Sequence, residues 1–126
     1  MRWNSGALRQ RSLRRSEYKG DKMYRTTTPT HTIVLPIQTS TCDEILLTYK
    51  QNDIELDKHY ENGVLPDGMT LNGNKVYQVL TQEETNMFNG GWVNIQIRVL
   101  TNEGKSYASQ IFRERMDKVL DDVILS

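Results

Sequence analysis

The stretch Trp92–Leu100 (WVNIQIRVL) constrains the fold more than any other part of the sequence. Apolar residues alternate there with more polar ones, which is the period of a β-strand that has one buried and one exposed face. The alternation predicts a central core strand. Its predicted inward side chains are Val93, Ile95, Ile97 and Val99, and its predicted outward side chains are Trp92, Asn94, Gln96 and Arg98.

Short β-rich runs separated by Gly, Asn, Asp and Pro fill the chain from Thr26 onward, which is typical of a sandwich or barrel. Asn52-Asp53 and Asn72-Gly73 indicate tight hairpin turns. Thr81 and Glu84 have the spacing of a capping box, which predicts one short helix at Gln82–Phe88. The predicted strands are His31–Ile37, Asp43–Gln51, Ile54–Tyr60, Met69–Leu71, Lys75–Leu80, Trp92–Leu100 and Lys105–Met116.

The predicted fold class is all-β. About seven strands joined in succession by short turns favour an antiparallel immunoglobulin-like β-sandwich with one short helix. A chain of 126 residues fits one domain. The Cys and Trp signature of antibody domains is absent, and Cys42 is the single cysteine, so no intramolecular disulfide is expected.

The first 22 residues differ in composition from the rest. They hold seven basic and two acidic residues, a net charge of +5, whereas residues 23–126 hold nine basic and fourteen acidic residues, a net charge of −5. Residues 1–22 are therefore predicted to be a disordered or wrongly assigned N-terminal extension, and residues 23–126 the sandwich domain. The codons of Lys19-Gly20 form a purine run like a ribosome-binding site, which favours translation from Met23. The alternative is a nucleic-acid-binding arm that uses Arg11, Arg14 and Arg15.

Side chains capable of catalysis or metal binding are scattered through the sequence. His31 and His59 lack the spacing of a metal site and are predicted to be surface residues. Cys42 could in principle be a nucleophile activated by a nearby histidine, but a single cysteine in a turn before a strand is predicted to be inert. Asp53, Glu55 and Asp57 alternate along one strand and are explained by a solvated face rather than a calcium site. The sequence thus predicts no enzyme activity, no cofactor and no metal.

Two segments are predicted to contact other proteins. An outward-facing Trp92 on a β-sheet is typical of a protein contact, together with Asn94, Gln96 and Arg98. A glycan-stacking role for Trp92 is the alternative. The C-terminal tail is apolar enough to need a partner, and oligomerisation would bury it. Its predicted contact residues are Val119, Leu120, Val123, Ile124 and Leu125.

The stretches TTTPTHTIVLPI, LTQEET and WVNIQIRVLTNEGKSYAS, in this order, resemble a group of small phage and prophage proteins of Gram-positive gut bacteria. The resemblance runs from Met23 to Ile124. It implies a virion structural or adaptor protein of the tail or baseplate, made in the host cytoplasm. The group has no assigned active-site residues, so no catalytic role is transferred.

The implied partners are other phage structural proteins and further copies of the chain. Alternatives are a carbohydrate-binding attachment module or a capsid decoration protein. Nucleic acid and membrane are not expected as partners, because the net charge is zero and no apolar stretch approaches the roughly 18 residues of a membrane span.

Overall fold

The computed structural model describes residues 13–126 and consists mainly of β-strands. One α-helix, α1 (Gln82–Thr85), and one 3-10 helix (Thr39–Thr41) accompany them in this range. No helix among these residues has the length and apolarity needed to cross a membrane. The strands are β1 (Glu17–Gly20), β2 (Met23–Tyr24), β3 (Thr30–Val34), β4 (Cys42–Gln51), β5 (Ile54–Glu61), β6 (Met69–Asn72), β7 (Lys75–Val79), β8 (Gly91–Thr101), β9 (Ser106–Ala108) and β10 (Phe112–Asp117).

The strands form two sheets that share one hydrophobic core. The first sheet has the order β1-β3-β7-β6, and the second has the order β2-β10-β8-β4-β5, with β9 also paired to β8. Every pair is antiparallel except β2 with β10, which is parallel. The all-β prediction is confirmed. About seven strands was an undercount, because β1 and β2 were not predicted and Lys105–Met116 divides into β9 and β10.

Strand β8 lies at the centre of the second sheet, between β10 and β4. Its inward side chains are at most 2% exposed, as the alternation predicted. The strand includes one more residue at each end than the predicted Trp92–Leu100. The central core strand is therefore confirmed. The inward residues are Val93, Ile95, Ile97 and Val99.

The predicted strand Lys105–Met116 is interrupted between β9 and β10, where Ser109 has a role of its own. The Ser109 hydroxyl accepts a hydrogen bond from the Ile97 amide at 3.1 Å and donates one to the Gln110 carbonyl at 2.7 Å. It therefore satisfies a β8 amide at a point where the ladder is interrupted. After this break, alternation resumes in β10.

Helix α1 is fixed to the second sheet by one carboxylate. Glu84 Oε1 accepts a hydrogen bond from the Thr81 amide at 2.9 Å and completes the predicted capping box. Its other carboxylate oxygen pairs with the ammonium group of Lys58, whose side chain is buried on β5. The helix is shorter than predicted, because it ends at Thr85 and the chain then turns to bury Phe88.

The prediction that residues 1–22 lie outside the fold is wrong from Leu13 onward. Strand β1 pairs with β3 over four residues, and Leu13 is fully buried in the core. Gly20 permits close contact, since a Cβ there would lie 2.6 Å from His31 Cδ2. The segment was assigned outside the fold because its many basic residues outnumber its few apolar residues, such as Leu13. Residues 1–12 lie outside the described range, and a translation start at Met23 stays a prediction.

A chain that begins at Met23 loses β1 together with Leu13 and Tyr18. We expect its free energy of unfolding to fall by at least about 3 kcal/mol, because deleting one packed leucine side chain alone costs about 2–5 kcal/mol. Urea unfolding followed by circular dichroism measures the difference. A chain that begins at Leu13 is the comparison that isolates the effect of residues 13–22. Equal midpoints for the Met23 chain and the full chain would contradict the assignment of β1 to the fold.

Candidate functional site

The outer face of the second sheet is formed by the outward residues of β10, β8, β4 and β5. Trp92 on this face is 51% exposed. The guanidinium carbon of Arg113 lies 4.4 Å from the centre of the indole ring, and that of Arg115 lies 5.8 Å away. These are cation–π contacts, which hold both arginines against the indole. A sugar that stacks on the ring face covered by Arg113 would first have to displace this side chain.

The other predicted residues of β8 share this face. Asn94 and Arg98 are exposed and Gln96 is partly exposed. The Gln96 amide donates to the Ser109 carbonyl at 2.8 Å, so its side chain is fixed. The structure thus places the four predicted β8 residues on one surface. Beside them lies a depression of about 140 Å³, lined by Thr48, Lys50, Asn94, Ile95, Gln96 and Ile111.

Sequence reasoning missed Arg113, Arg115 and Ile111 as members of this face. Ile111 is 59% exposed next to the depression. The signal was present in Phe112–Asp117, where arginines alternate with Phe112 and Met116, but the break at Ser109 made the phase of that alternation uncertain. Cross-strand pairing of Arg115 with Trp92 is a consequence of sheet register, which the sequence does not state.

Basic and acidic residues lie on opposite sides of the outer face of the second sheet. Arg113, Arg115 and Arg98 lie on β10 and β8, and one carboxylate, Asp117, ends β10 and pairs with Arg115 at 3.3 Å. Acidic residues dominate the β5 edge. The outward side chains of β5 are Glu55, Asp57, His59 and Glu61, and those of β4 are Glu44, Leu46, Thr48 and Lys50.

Glu44, His59 and Glu61 form a group whose ligand atoms lie within 4.8 Å of one another. His59 Nε2 is 2.8 Å from Glu44 Oε1, and Glu44 faces Glu61 directly across the two strands. Three such side chains could supply three ligands to a divalent ion. None of them is buried, and no fourth His, Cys, Asp or Glu of residues 13–126 joins the group. The absence of a metal stays a prediction.

The three carboxylates considered for calcium lie within the β4–β5 hairpin. Asp57 accepts a hydrogen bond from Thr48 Oγ1 at 2.7 Å, and Glu55 lies 3.8 Å from Lys50 Nζ. Asp53 is an exposed turn residue. The carboxylates of Glu55 and Asp57 thus have protein partners on the sheet surface.

The C-terminal tail follows β10 without regular structure but has defined contacts. Gln82 makes two hydrogen bonds of 2.8 Å with the backbone of Leu125, and Asp122 pairs with Arg25 at 2.6 Å. Leu120, Val123 and Leu125 are 109%, 59% and 72% exposed. Val119 and Ile124 are half-buried. The tail is therefore held in place while it presents apolar side chains to solvent.

Cys42 has the environment of an inert thiol. It is 6% exposed, and burial raises its pKa, which disfavours the reactive thiolate. A cavity of about 420 Å³ lies nearby, between the β3–β4, β6–β7 and β8–β9 connections, and Glu103 is the single carboxylate among its described lining residues. That lining includes no histidine or cysteine of the described range.

His31 is not the surface residue that the sequence predicted. It is 1% exposed, and its Nδ1 shares a 2.7 Å hydrogen bond with the Tyr49 hydroxyl across the two sheets. Its Nε2 is buried with no hydrogen-bond partner among the described residues. Tyr18 packs on its other side and donates a hydrogen bond to Glu114 Oε1 at 2.9 Å. Burial lowers the pKa of His31 to about 4, against the opposing effect of Asp21.

Comparison with protein-family models and with curated proteins finds no match for this chain.

The buried His31 makes the fold sensitive to acid. Its pKa is about 6.5 in the unfolded chain and about 4 in the folded one, so the unfolded state binds more protons between these values. The stability that depends on a neutral His31 is fully present above about pH 6.5 and is lost as the pH falls through about 4. We expect His31 alone to cost about 2 kcal/mol between about pH 7 and about pH 4.5, measured by urea unfolding.

The His31→Gln variant isolates this effect. It should lose the histidine component of the pH dependence, so that its stability falls less than that of the original chain over the same interval. His59→Gln is the matched control, because it removes the other histidine of the chain, which is exposed. Identical pH profiles for His31→Gln and the original chain would refute this role.

Proposed function

We propose that this chain is a non-enzymatic structural or adaptor protein of a phage particle, associated with its tail or baseplate, and that it works by protein–protein assembly. The observation that carries the proposal is the C-terminal tail, which is fixed by Gln82 and Arg25 and yet exposes Leu120, Val123 and Leu125. Burying one such side chain contributes about 1.5–3 kcal/mol, so these exposed apolar residues favour the binding of a partner that covers them. The resemblance to small phage proteins is the reason for proposing that the partners belong to a phage particle.

The strand order supports an immunoglobulin-like sandwich. If β1, β3, β6 and β7 are equated with strands A, B, D and E, the first sheet has the order ABED. If β4, β5, β8 and β10 are equated with C, C′, F and G, the second sheet contains the order GFCC′. In phage particles a sandwich of this kind acts as a compact module that connects larger proteins, and this role is an analogy from architecture.

The proposed partners are other structural proteins of the particle, and the proposed location is the virion, after synthesis in the host cytoplasm. The experiment is mass spectrometry of particles purified from a host that carries the gene in a prophage. The chain should be present at a fixed stoichiometry to the tail proteins. Its absence from purified particles would refute the proposed function.

The tail is expected to supply the main contact with these partners. The double variant Leu120→Ser and Leu125→Ser leaves the backbone hydrogen bonds of Gln82 in place but removes the exposed apolar groups. We expect at least about a tenfold loss of partner binding, measured as incorporation into particles, because each leucine is worth about 1.5–3 kcal/mol. The matched control is Val64→Ser, an exposed apolar residue in another loop. Normal incorporation of the double variant would contradict the tail contact.

A further inference from the structure

We propose that the outer face of the second sheet binds the same face of a second copy of this chain in a two-fold symmetric dimer. The inference rests on the proposed function, because it assumes that the chain acts by protein–protein contact and names one partner. Its own evidence is the distribution of charge across the face, and the C-terminal tail is not part of that face.

The face is divided into a basic and an acidic half. Three arginines lie on the outward side of β10 and β8, where Asp117 at the end of β10 is the acidic residue. Glu114 of β10 instead accepts a hydrogen bond from Tyr18. The β5 edge carries three carboxylates, and the nearest cation is Lys50 on β4, 3.8 Å from Glu55. This pair is exposed and long, so it neutralises little. The arginines are Arg98, Arg113 and Arg115, and the β5 carboxylates are Glu55, Asp57 and Glu61.

Symmetry makes the two halves complementary. A two-fold axis that runs along the strands, in the plane of the interface and between β8 and β4, places β10 of one copy opposite β5 of the second copy. Arg113, Asn94, Lys50 and Glu55 form one row across the sheet by register. The axis therefore sets Arg113 opposite Glu55 of the second copy, and Glu55 opposite the second copy's Arg113.

The rest of the face avoids like-charge contacts in this arrangement. Asn94 comes opposite Lys50 of the second copy, and Gln96 comes opposite Thr48. Arg98 comes opposite Leu46, next to the acidic Glu44. The exposed Ile111 lines the depression beside Gln96, together with Lys50. An axis perpendicular to the strands would instead place β10 opposite β10 and bring arginine onto arginine.

The area of the face predicts a weak dimer. Four strands about 4.8 Å apart and about six residues long give roughly 400 Å² of flat area, against the roughly 800 Å² that a stable complex buries on each partner. We therefore expect a dissociation constant in the micromolar range, which rises with added salt because the contacts are charged and exposed. A micromolar dissociation constant is sufficient for a protein whose local concentration is raised because several copies are held in one particle.

Charge exchange tests the pairing directly. Arg113→Glu and Glu55→Arg should each weaken self-association at least about tenfold, because each places two repulsive contacts in the dimer. An equimolar mixture of the two variants should restore dimerisation, since both contacts are then between opposite charges. Sedimentation equilibrium of the purified full chain, from about 5 to about 500 μM, provides the measurement.

Matched controls carry the same changes of charge elsewhere. Lys75→Glu lies on the first sheet and Glu103→Arg lies in an exposed turn, and both should dimerise like the original chain. Circular dichroism and thermal unfolding establish that each variant is folded. A monomeric original chain, unchanged association in both single variants, or a mixture that stays monomeric would each overturn the proposed dimer.

These outcomes are distinct from the test of the proposed function. A chain that is present in particles but monomeric at about 500 μM refutes the dimer and leaves the structural role intact. A chain that dimerises by charge exchange but is absent from particles refutes the structural role and leaves the dimer intact.

Discussion

The pairing of β4 with β8 is the constraint on which the rest of the structure depends. Its register runs from Cys42 with Thr101 to Lys50 with Asn94, with one shift near Cys42. Because side chains alternate along a strand, this register places one set of residues in the core and the other on the outer face. A slip by one residue would bury Arg98 and expose Ile97. The stability of the core and the composition of the outer face therefore cannot be changed independently.

The first sheet is joined to this pair through polar as well as apolar contacts. His31 and Tyr49 share a hydrogen bond across the core, and Tyr18 from β1 covers the histidine ring. A buried imidazole whose Nε2 has no hydrogen-bond partner within residues 13–126 is costly, and the cost grows in acid. What it adds is a directional contact that specifies how the sheets face each other. Tyr18 on β1 packs against His31, so β1 belongs to the domain.

The predictable parts of the fold are those whose information is local. The alternation of β8, the β4–β5 hairpin and the capping box at Thr81 each lie within a few residues, and each was found from sequence. Strand β1 was missed because arginines surround Leu13 and because its partner β3 is distant in sequence. His31 was assigned to the surface on its residue type, although His31, Ile33 and Leu35 follow the inward phase of their strand and are all at most 1% exposed.

The candidate surfaces were predictable only in part, for the same reason. The sequence identified Trp92 and the apolar tail from single runs of residues. It could not show that Arg113 lies over Trp92, or that Gln82 holds Leu125, because these contacts join elements distant along the chain. Charge separation across the face is likewise a property of four strands in register rather than of any one of them.

The two surfaces differ in the physics that they offer to a partner. The tail presents aliphatic groups that gain by leaving water, and such contacts are little affected by salt. The outer face presents fixed charges, which select an orientation and add modest affinity when exposed. In the proposed particle, a weak charged contact between copies and an apolar contact to a neighbour would reinforce each other, because the first binding event raises the effective concentration for the second. A small sandwich can thus form a stable assembly from contacts that are individually weak.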